Sequence, residues 1–375
     1  MTTDPSSAPM TSASVSPPLD LEAVEKQSKL VYRNIVGGML TLLAVIGDRL
    51  DLFKTLAREG PLTAAQFAER AHIHPRYAQE WLGGMASAGY IAYDPATESF
   101  LMTPVQAAVV SDEGGPFFLG GSIEMASAFP GILDPLIQAF RAGGGVPQSA
   151  YDARVYSGME RSNVGWTDHV LVQSVLPQMP EVEARLRRGA RVADIGCGGG
   201  RLLIRLAETF PSSRFAGFDV FAPNVERATA NASAAGVGDR VTFETMDGAV
   251  GLSETFDVIF TSDVIHDAAQ PVALLRAIRS ALSVDGVYVC IEPATAETLE
   301  ERVGLRGAFL YSASILYCMT TSLAQGGVGL GAHGLPESRV RALCLEAGFS
   351  DVRHVPTPDA FGKEDTITSV YEIRP

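Results

Sequence analysis

The stretch that most constrains this chain is Val192-Ala193-Asp194-Ile195-Gly196-Cys197-Gly198-Gly199-Gly200, an apolar run that empties into four glycines. A buried strand that runs into a Gly-rich turn and then a helix makes a ligand site at the strand's carboxyl end. The pattern predicts a strand at Arg191 to Ile195 and a helix at Arg201 to Phe210. Strands follow at Arg214 to Val220, Val241 to Met246, Phe256 to Ser262 and Val287 to Ile291, with helices at Asn224 to Ala235 and Pro271 to Leu282. Such alternation gives an α/β, doubly wound, mostly parallel sheet. A helix at Glu337 to Ala347 and strands at Val352 to Val355 and Thr366 to Glu372 complete seven strands, the last position suiting an antiparallel closing strand.

The glycines do not form a dinucleotide fingerprint. Counted from Gly196, the third glycine of that motif would fall at position 201, which is Arg201. Asp194, just before the turn, would repel a pyrophosphate but attract a ligand bearing ammonium and sulfonium charge. The loop also lacks the Lys and Ser/Thr pair of a P-loop. Asp219 ends the second strand, 25 residues after Asp194, where a ribose-binding carboxylate is expected. Asp247 follows the third strand and is suited to accept from an adenine amino group. Each acid alone reads as a loop or cap residue, but three at successive strand ends beside the glycines form a constellation.

Asp194-Ile195-Gly196-Cys197-Gly198-Gly199-Gly200 resembles the first motif of class I S-adenosylmethionine-dependent methyltransferases, with Asp219 and Asp247 at their ribose and adenine positions. The resemblance covers Gly189 to Pro375. It implies a Rossmann-like sheet, S-adenosyl-L-methionine as cofactor, and cofactor contacts from Asp194, Gly196, Cys197, Gly198, Asp219, Val220, Met246, Asp247, Gly248 and Ser262. Ser262-Asp263-Val264-Ile265-His266-Asp267 is similar to the His-Asp pair of O-methyltransferases, whose His is the general base. A neutral imidazole suits removal of a proton from an oxygen nucleophile near pH 7. The other reading is that His266 caps the next helix or positions substrate, and Ala268 stands where the motif continues with Trp. Glu292, at the end of the fifth strand, could orient His266 or a substrate, but reads better as a solvated strand end. Leu310 to Leu323, followed by Gly326-Gly327, reads as a helical cover that favours an apolar or aromatic acceptor.

The front of the chain reads as three helices and a hairpin, the order of a winged helix. Leu50, Leu52, Phe53 and Leu56 give one apolar face, Thr63 caps a second helix, and Pro75 opens a third with Tyr77, Trp81, Leu82 and Met85 at helical spacing. Strand-like runs at Tyr90 to Tyr93 and Ser99 to Met102 flank a turn. Between Leu21 and Val110 nine acidic residues face eight basic ones, and the third helix offers only Arg76 against Glu80. A groove-reading helix needs a basic face, and the whole chain carries −14, so nucleic acid is not an expected partner. Arg76-Tyr77, Glu80-Trp81-Leu82 and Gly89-Tyr90 resemble the front domain of small-molecule methyltransferases, which implies dimerisation and help in walling the acceptor pocket.

The resulting division is a disordered tail at 1–20, a winged-helix-like dimerisation domain at 21–110, a helical connector and pocket wall at 111–188, and the cofactor domain at 189–375. The connector aromatics Phe117, Phe118, Phe129, Phe140, Tyr151, Tyr156 and Trp166 suit core packing and a pocket lining equally. The apolar run Ile35 to Gly47 is short of the roughly 20 residues of a membrane span and reads as a buried helix or a dimer contact. Four scattered cysteines and the remaining histidines show no metal-ligand spacing, so neither metal nor disulfide is expected and a reducing cytoplasm fits. The expected partners are a small-molecule acceptor and a second copy of the chain, with no membrane. The expected reaction is O-methylation of that acceptor, ahead of C- or N-methylation or a non-catalytic regulator.

Overall fold

The computed structural model describes residues 19–358 and 367–375. The tail up to Pro18 and Thr366, the expected start of the last strand, lie outside them. Asp20 caps α1 (Leu21–Arg49), accepting from the amides of Glu22 and Ala23. α2 (Leu52–Glu59) follows, and Thr63 and Gln66 close a capping box on α3 (Ala64–Arg70). α4 (Pro75–Ser87) has Pro at its first position, where its missing N–H costs nothing. β1 (Ala92–Asp94) and β2 (Ser99–Leu101) pair antiparallel as the wing. Leu52, Phe53, Leu56, Phe67, Trp81, Leu82 and Met85 fill the core between these elements. Two expected core residues point outward instead: Tyr77 is 76% exposed, and Leu50, at the end of α1 before α2 begins, is 52% exposed.

α1 corrects two expectations. It runs 29 residues, long enough in principle to cross a membrane, and it is not a buried helix. Only Ala44, Val45 and Gly47 are buried, whereas Ile35, Met39, Leu42 and Ile46 are exposed. The run was cut short because Lys26, Lys29 and Arg33 break the apolar pattern without breaking the helix.

α5 (Pro104–Val110) ends the front domain, and the connector holds α6 (Gly120–Ala128), α7 (Leu133–Ala142), α8 (Ala153–Gly165) and α9 (Pro180–Arg188), with α8 continuing as π-helix over Trp166–Val175. The seven-stranded sheet then forms from β3 (Arg191–Ile195), β4 (Arg214–Asp219), β5 (Val241–Thr245), β6 (Phe256–Ser262), β7 (Leu282–Pro293), β8 (Asp351–Val355) and β9 (Thr368–Arg374). Their order is β5-β4-β3-β6-β7-β9-β8, parallel from β5 to β7, with β9 antiparallel to both β7 and β8. α9, α10 (Arg201–Thr209) and α11 (Ala222–Ala234) cover one face around Val192, Val258 and Phe260. α12 (Pro271–Ala281) and α16 (Glu337–Glu346) cover the other around Ile259, Tyr288 and Cys290. α13 (Leu299–Arg302) and α14 (Leu305–Ala313) follow β7, and α14 runs through a π-helical Ser314–Cys318 into α15 (Met319–Ala324).

The strand order reverses at β3, with β4 on one side and β6 on the other. Ligands of open α/β sheets bind outside the strand ends at such a switch point.

Candidate active site

Four adjacent parallel strands bring their carboxyl ends to one cleft. Gly196, Gly198 and Gly200 all have positive φ, at 76°, 52° and 78°. A Cβ at Gly196 would overlap Val264, and one at Gly200 would press on Phe243, so this turn requires glycine for space as well as conformation. The turn is tied to β4 by the amides of Gly196 and Cys197, which donate to Phe218 O at 2.7 and 3.0 Å. The Gly198 amide donates to Asp219 Oδ2 at 2.9 Å, and the Phe221 amide donates to Asp219 Oδ1 at 2.8 Å. Asn224 Nδ2 adds a third bond to Asp219 at 3.2 Å, although burial still pushes this carboxyl above its ordinary range.

Asp194, Asp219, the Met246-Asp247-Gly248 segment and Ser262 thus follow one another along the ends of β3, β4, β5 and β6. Met246 is fixed by its amide on Asp219 O at 2.9 Å. Asp247 caps the short turn Gly248–Val250 through Ala249 N at 2.9 Å, and its side chain stands at the exposed rim. Val220 is 48% exposed, and Cys197 is buried, its thiol pushed up by burial. Asp194 is nearly inaccessible, and its Oδ1 has no hydrogen-bond partner among the described residues. Burial, reinforced by Asp219, raises its carboxyl well above the usual range. A buried acceptor with no donor is costly, and a cationic or N–H-bearing ligand in the cleft would satisfy it. That orphaned oxygen, with the glycine cradle beside it, fits the amino-acid end of S-adenosylmethionine.

His266 lies in the turn after β6, buried at 2% exposure. The turn begins with Asp263 in the left-handed region at φ 57°, held by its amide on Ile291 O. Left-handed backbone at a residue other than glycine is strained and collects at functional sites. Glu292 overturns its reading as a solvated strand end, because it is fully buried. Its Oε1 accepts from Ile265 N at 2.7 Å and Val264 N at 3.3 Å, and its Oε2 meets His266 Nδ1 at 2.6 Å. Nδ1 is therefore the donor, which makes Nε2 the lone-pair nitrogen of the ring. Burial opposes charge on the ring, but Cys318 and Glu292 beside it outweigh burial and raise it well above the ordinary histidine range. Next to it, burial pushes Asp267 up to about 7.

Above the cleft the connector meets the α14–α15 segment. Tyr151, Tyr156 and Tyr317 pack together, at 5.2 Å between Tyr151 and Tyr317, and Tyr156 lies 5.1 Å from the Phe221 ring. Gly331 N donates to His266 O and Ser322 Oγ to Ala268 O, so the expected cover sits directly on the His266 loop. The connector aromatics divide: Tyr151 and Tyr156 join this wall, Phe118 and Phe129 are buried, Trp166 packs on the sheet and Phe140 is 69% exposed. Gln148, Glu160, Arg227 and Asn231, all in or near this wall, escaped the sequence reading because isolated polar residues on helices carry no motif.

Two cavities lie elsewhere. One of about 690 Å³ is a groove between α1 and α4, lined by Leu43, Ile46, Tyr77 and Trp81. The other, about 910 Å³, lies beyond the end of β7, walled by Arg302, Arg306, His333 and His354. On α4, the exposed Arg76 pairs with Glu80 one turn on. Among the described residues no His, Cys, Asp and Glu cluster could hold a metal ion.

Comparison with known proteins agrees with this fold. A family model described as "Methyltransferase domain" matches residues 186–315, and one described as "Rv2258c-like winged HTH domain" matches residues 38–112. A ubiquinone biosynthesis O-methyltransferase of Cereibacter sphaeroides (strain KD131) is 31% identical over 102 residues, 27% of this chain and 40% of that protein. Its counterpart in Parvibaculum lavamentivorans is 34% identical over 100 residues, 26% of this chain and 38% of that one. The chain thus matches well under half the length of these curated relatives. Human N-acetylserotonin methyltransferase, solved with its S-adenosylmethionine, superposes with a TM-score of 0.69 at 18% identity, covering 93% of this chain and 97% of that one. Mitomycin 7-O-methyltransferase gives 0.65 at 20% identity, covering 94% and 99%.

Proposed function

We propose that this chain, a winged helix domain joined to a methyltransferase domain of class I fold, transfers a methyl group from S-adenosylmethionine to an oxygen of a small, partly apolar acceptor. The observation that carries this reading is the buried His266–Glu292 pair, set between the Gly-rich turn and the aromatic wall. When bound, the cofactor supplies an electrophilic methyl group on a sulfonium. Asp194, Gly196, Cys197, Gly198, Asp219, Val220, Met246, Asp247, Gly248 and Ser262 would hold it. Asp219 would meet the ribose, and Asp247 stands at the rim where adenine would lie.

His266 is the general base. Glu292 keeps the proton on Nδ1, so Nε2 takes the acceptor's proton, and the imidazolium that forms is stabilised by the same carboxylate. The wall of Tyr151, Tyr156 and Tyr317 excludes water and favours a planar or apolar acceptor. The rest of the catalysis is alignment of the nucleophile with the methyl group. The division at 21–110, 111–188 and 189–375 supports this arrangement, with the connector supplying the wall. The exposed seam Ile35, Met39, Leu42 and Ile46 repeats at spacings of four, three and four, which suits pairing of two α1 helices in a homodimer. A cytoplasmic setting fits the four free cysteines.

Methyl transfer from labelled S-adenosylmethionine across a panel of phenols, amines and carboxylic acids tests the reading. His266→Ala should keep cofactor binding while turnover of a protonated acceptor falls roughly 10²–10⁴-fold, and the loss should shrink for acceptors already ionised. Turnover within about threefold of wild type would defeat the base assignment.

A further inference from the structure

On α8, two consecutive residues reach different domains, because neighbours on a helix point about 100° apart. Glu160 turns to the cofactor domain. Its Oε1 accepts from Asn231 Nδ2 at 2.7 Å, and its Oε2 accepts from Arg227 Nε at 2.8 Å. Asn231 Nδ2 also donates to the carbonyl of Gly199, inside the Gly-rich turn, at 2.9 Å. Arg227 Nη2 donates to Asn224 Oδ1 at 3.0 Å, and Asn224 donates on to Asp219. One carboxylate on the connector therefore reaches both the turn and the carboxylate that would hold the ribose.

Arg161 turns to the front domain. It makes a bidentate pair with Asp48 at the end of α1, at 2.8 and 2.9 Å, and meets Glu124 at 2.6 Å and Glu113 at 2.8 Å. Glu113 in turn accepts from Lys54 of α2 at 3.1 Å. The Arg161 side chain is 22% exposed and that of Asp48 is 9%, so the pair is partly screened from water and stronger than a surface pair.

The helix between these contacts is rigidly seated. A Cβ at Gly158 would press on the backbone of Gly121 and Met125 in α6, and one at Gly165 on Gly115. Ser157 Oγ donates to Glu124 Oε1 at 2.8 Å. A stiff element tied to two domains by adjacent side chains cannot shift at one end without loading the other.

We propose that Glu160-Arg161 is a strut that couples occupancy of the cofactor cleft to the front domain, with Glu160 as a positioning residue for the Gly-rich turn. The inference rests on the cleft binding S-adenosylmethionine, as proposed above. Ordering of the turn by a ligand holds Asn231 and Arg227 in place, these fix Glu160, and Arg161 carries the constraint to Asp48. Coupling of this kind is reciprocal, so breaking the front-domain end weakens ligand binding at a site it never touches.

The full chain is tested with S-adenosylhomocysteine as the probe, using calorimetry for affinity and hydrogen exchange for remote protection. Wild type should bind and show ligand-dependent protection at residues 44–56. Glu160→Ala should lose about tenfold or more in affinity together with that protection, and Glu160→Gln, which retains an acceptor for Asn231, should recover part of both. Arg161→Met should lose about fivefold in affinity, the lower end of ordinary coupling, and all of the remote protection. Asp48→Asn attacks the same link from the other side and serves if Arg161→Met does not fold. Unchanged affinity and wild-type protection in Arg161→Met or in Asp48→Asn overturn the strut. Failure of wild type itself to bind the probe overturns the cofactor reading, and the strut with it.

Discussion

Glu292→Gln is nearly isosteric and isolates the electrostatics of the dyad. The amide oxygen can still accept from Ile265 N, so the backbone of the His266 loop keeps its anchor. The amide nitrogen, however, now faces His266 Nδ1, where a carboxylate oxygen sat 2.6 Å away. Two donors cannot share that bond, so Nδ1 becomes the acceptor and the proton moves to Nε2. An imidazole protonated on Nε2 cannot take a proton from the acceptor. Turnover should fall roughly 10²–10⁴-fold, the span of a lost general base, with cofactor affinity nearly unchanged. The stability cost is a charge-assisted bond of about 1.5–3 kcal/mol, reduced because the burial penalty of the carboxylate is also removed.

The pH dependence separates this mechanism from a structural one. The folded state raises His266 above its ordinary value of about 6.5. Its contribution to stability is therefore fully present below about pH 6.5 and is lost as pH rises through the raised value. Activity runs the other way, because only the neutral ring is a base. In wild type, kcat should climb with an acid limb above the usual histidine range. In Glu292→Gln the carboxylate's share of that rise is lost while burial and Cys318 remain, so the limb should move to lower pH on a lower plateau. The gap in urea-unfolding free energy between the two proteins should be widest near pH 6 and narrow as the solution becomes alkaline. An unmoved acid limb, or a gap that widens with pH, would refute the dyad.

Asp219→Ala removes the group that bonds Gly198, Phe221 and Asn224, and should weaken S-adenosylmethionine by about 1–3 kcal/mol in calorimetry; unchanged affinity would remove it from the cofactor site. Gly196→Ala combines positive φ with overlap on Val264, and should cost about 1–3 kcal/mol in urea unfolding and abolish cofactor binding. Light scattering at micromolar concentration should give a dimer that Met39→Lys converts to monomer, the side chain being 63% exposed on α1; a monomeric wild type would refute pairing through this helix.

The cofactor domain was readable because most of its parallel strands are compact apolar runs and the turns after them carry their own chemistry. β3 and β6 fall on their expected bounds, and the other ends move by a residue or two, except for β7, which begins at Leu282 instead of Val287. Asp194 and Asp219 were visible because both end strands. Glu292 was misread because its burial is set by Val264, Ile265 and His266, a turn some 26 residues earlier in sequence. Glu160 and Arg161 were invisible for the same reason: their partners range from Asp48 to Asn231, and no local pattern encodes that distance. α1 failed differently. Its apolar residues follow helical spacing, but periodicity alone does not say whether the partner of an apolar face is in the same chain.

The cleft as a whole explains why a cation belongs there. Asp194, Asp219 and Asp267 all have their carboxyls raised, with burial the largest cause in each, and Asp194 and Asp267 also feel neighbouring acids. Carboxylates crowded in a poorly hydrated site repel one another, and a positive ligand relieves that repulsion. Of the basic groups there, the Arg227 guanidinium is engaged by Glu160 and Asn224, and the His266 ring by Glu292. A phosphate would meet the opposite arrangement. The charge of the cleft therefore selects a sulfonium over a nucleotide pyrophosphate.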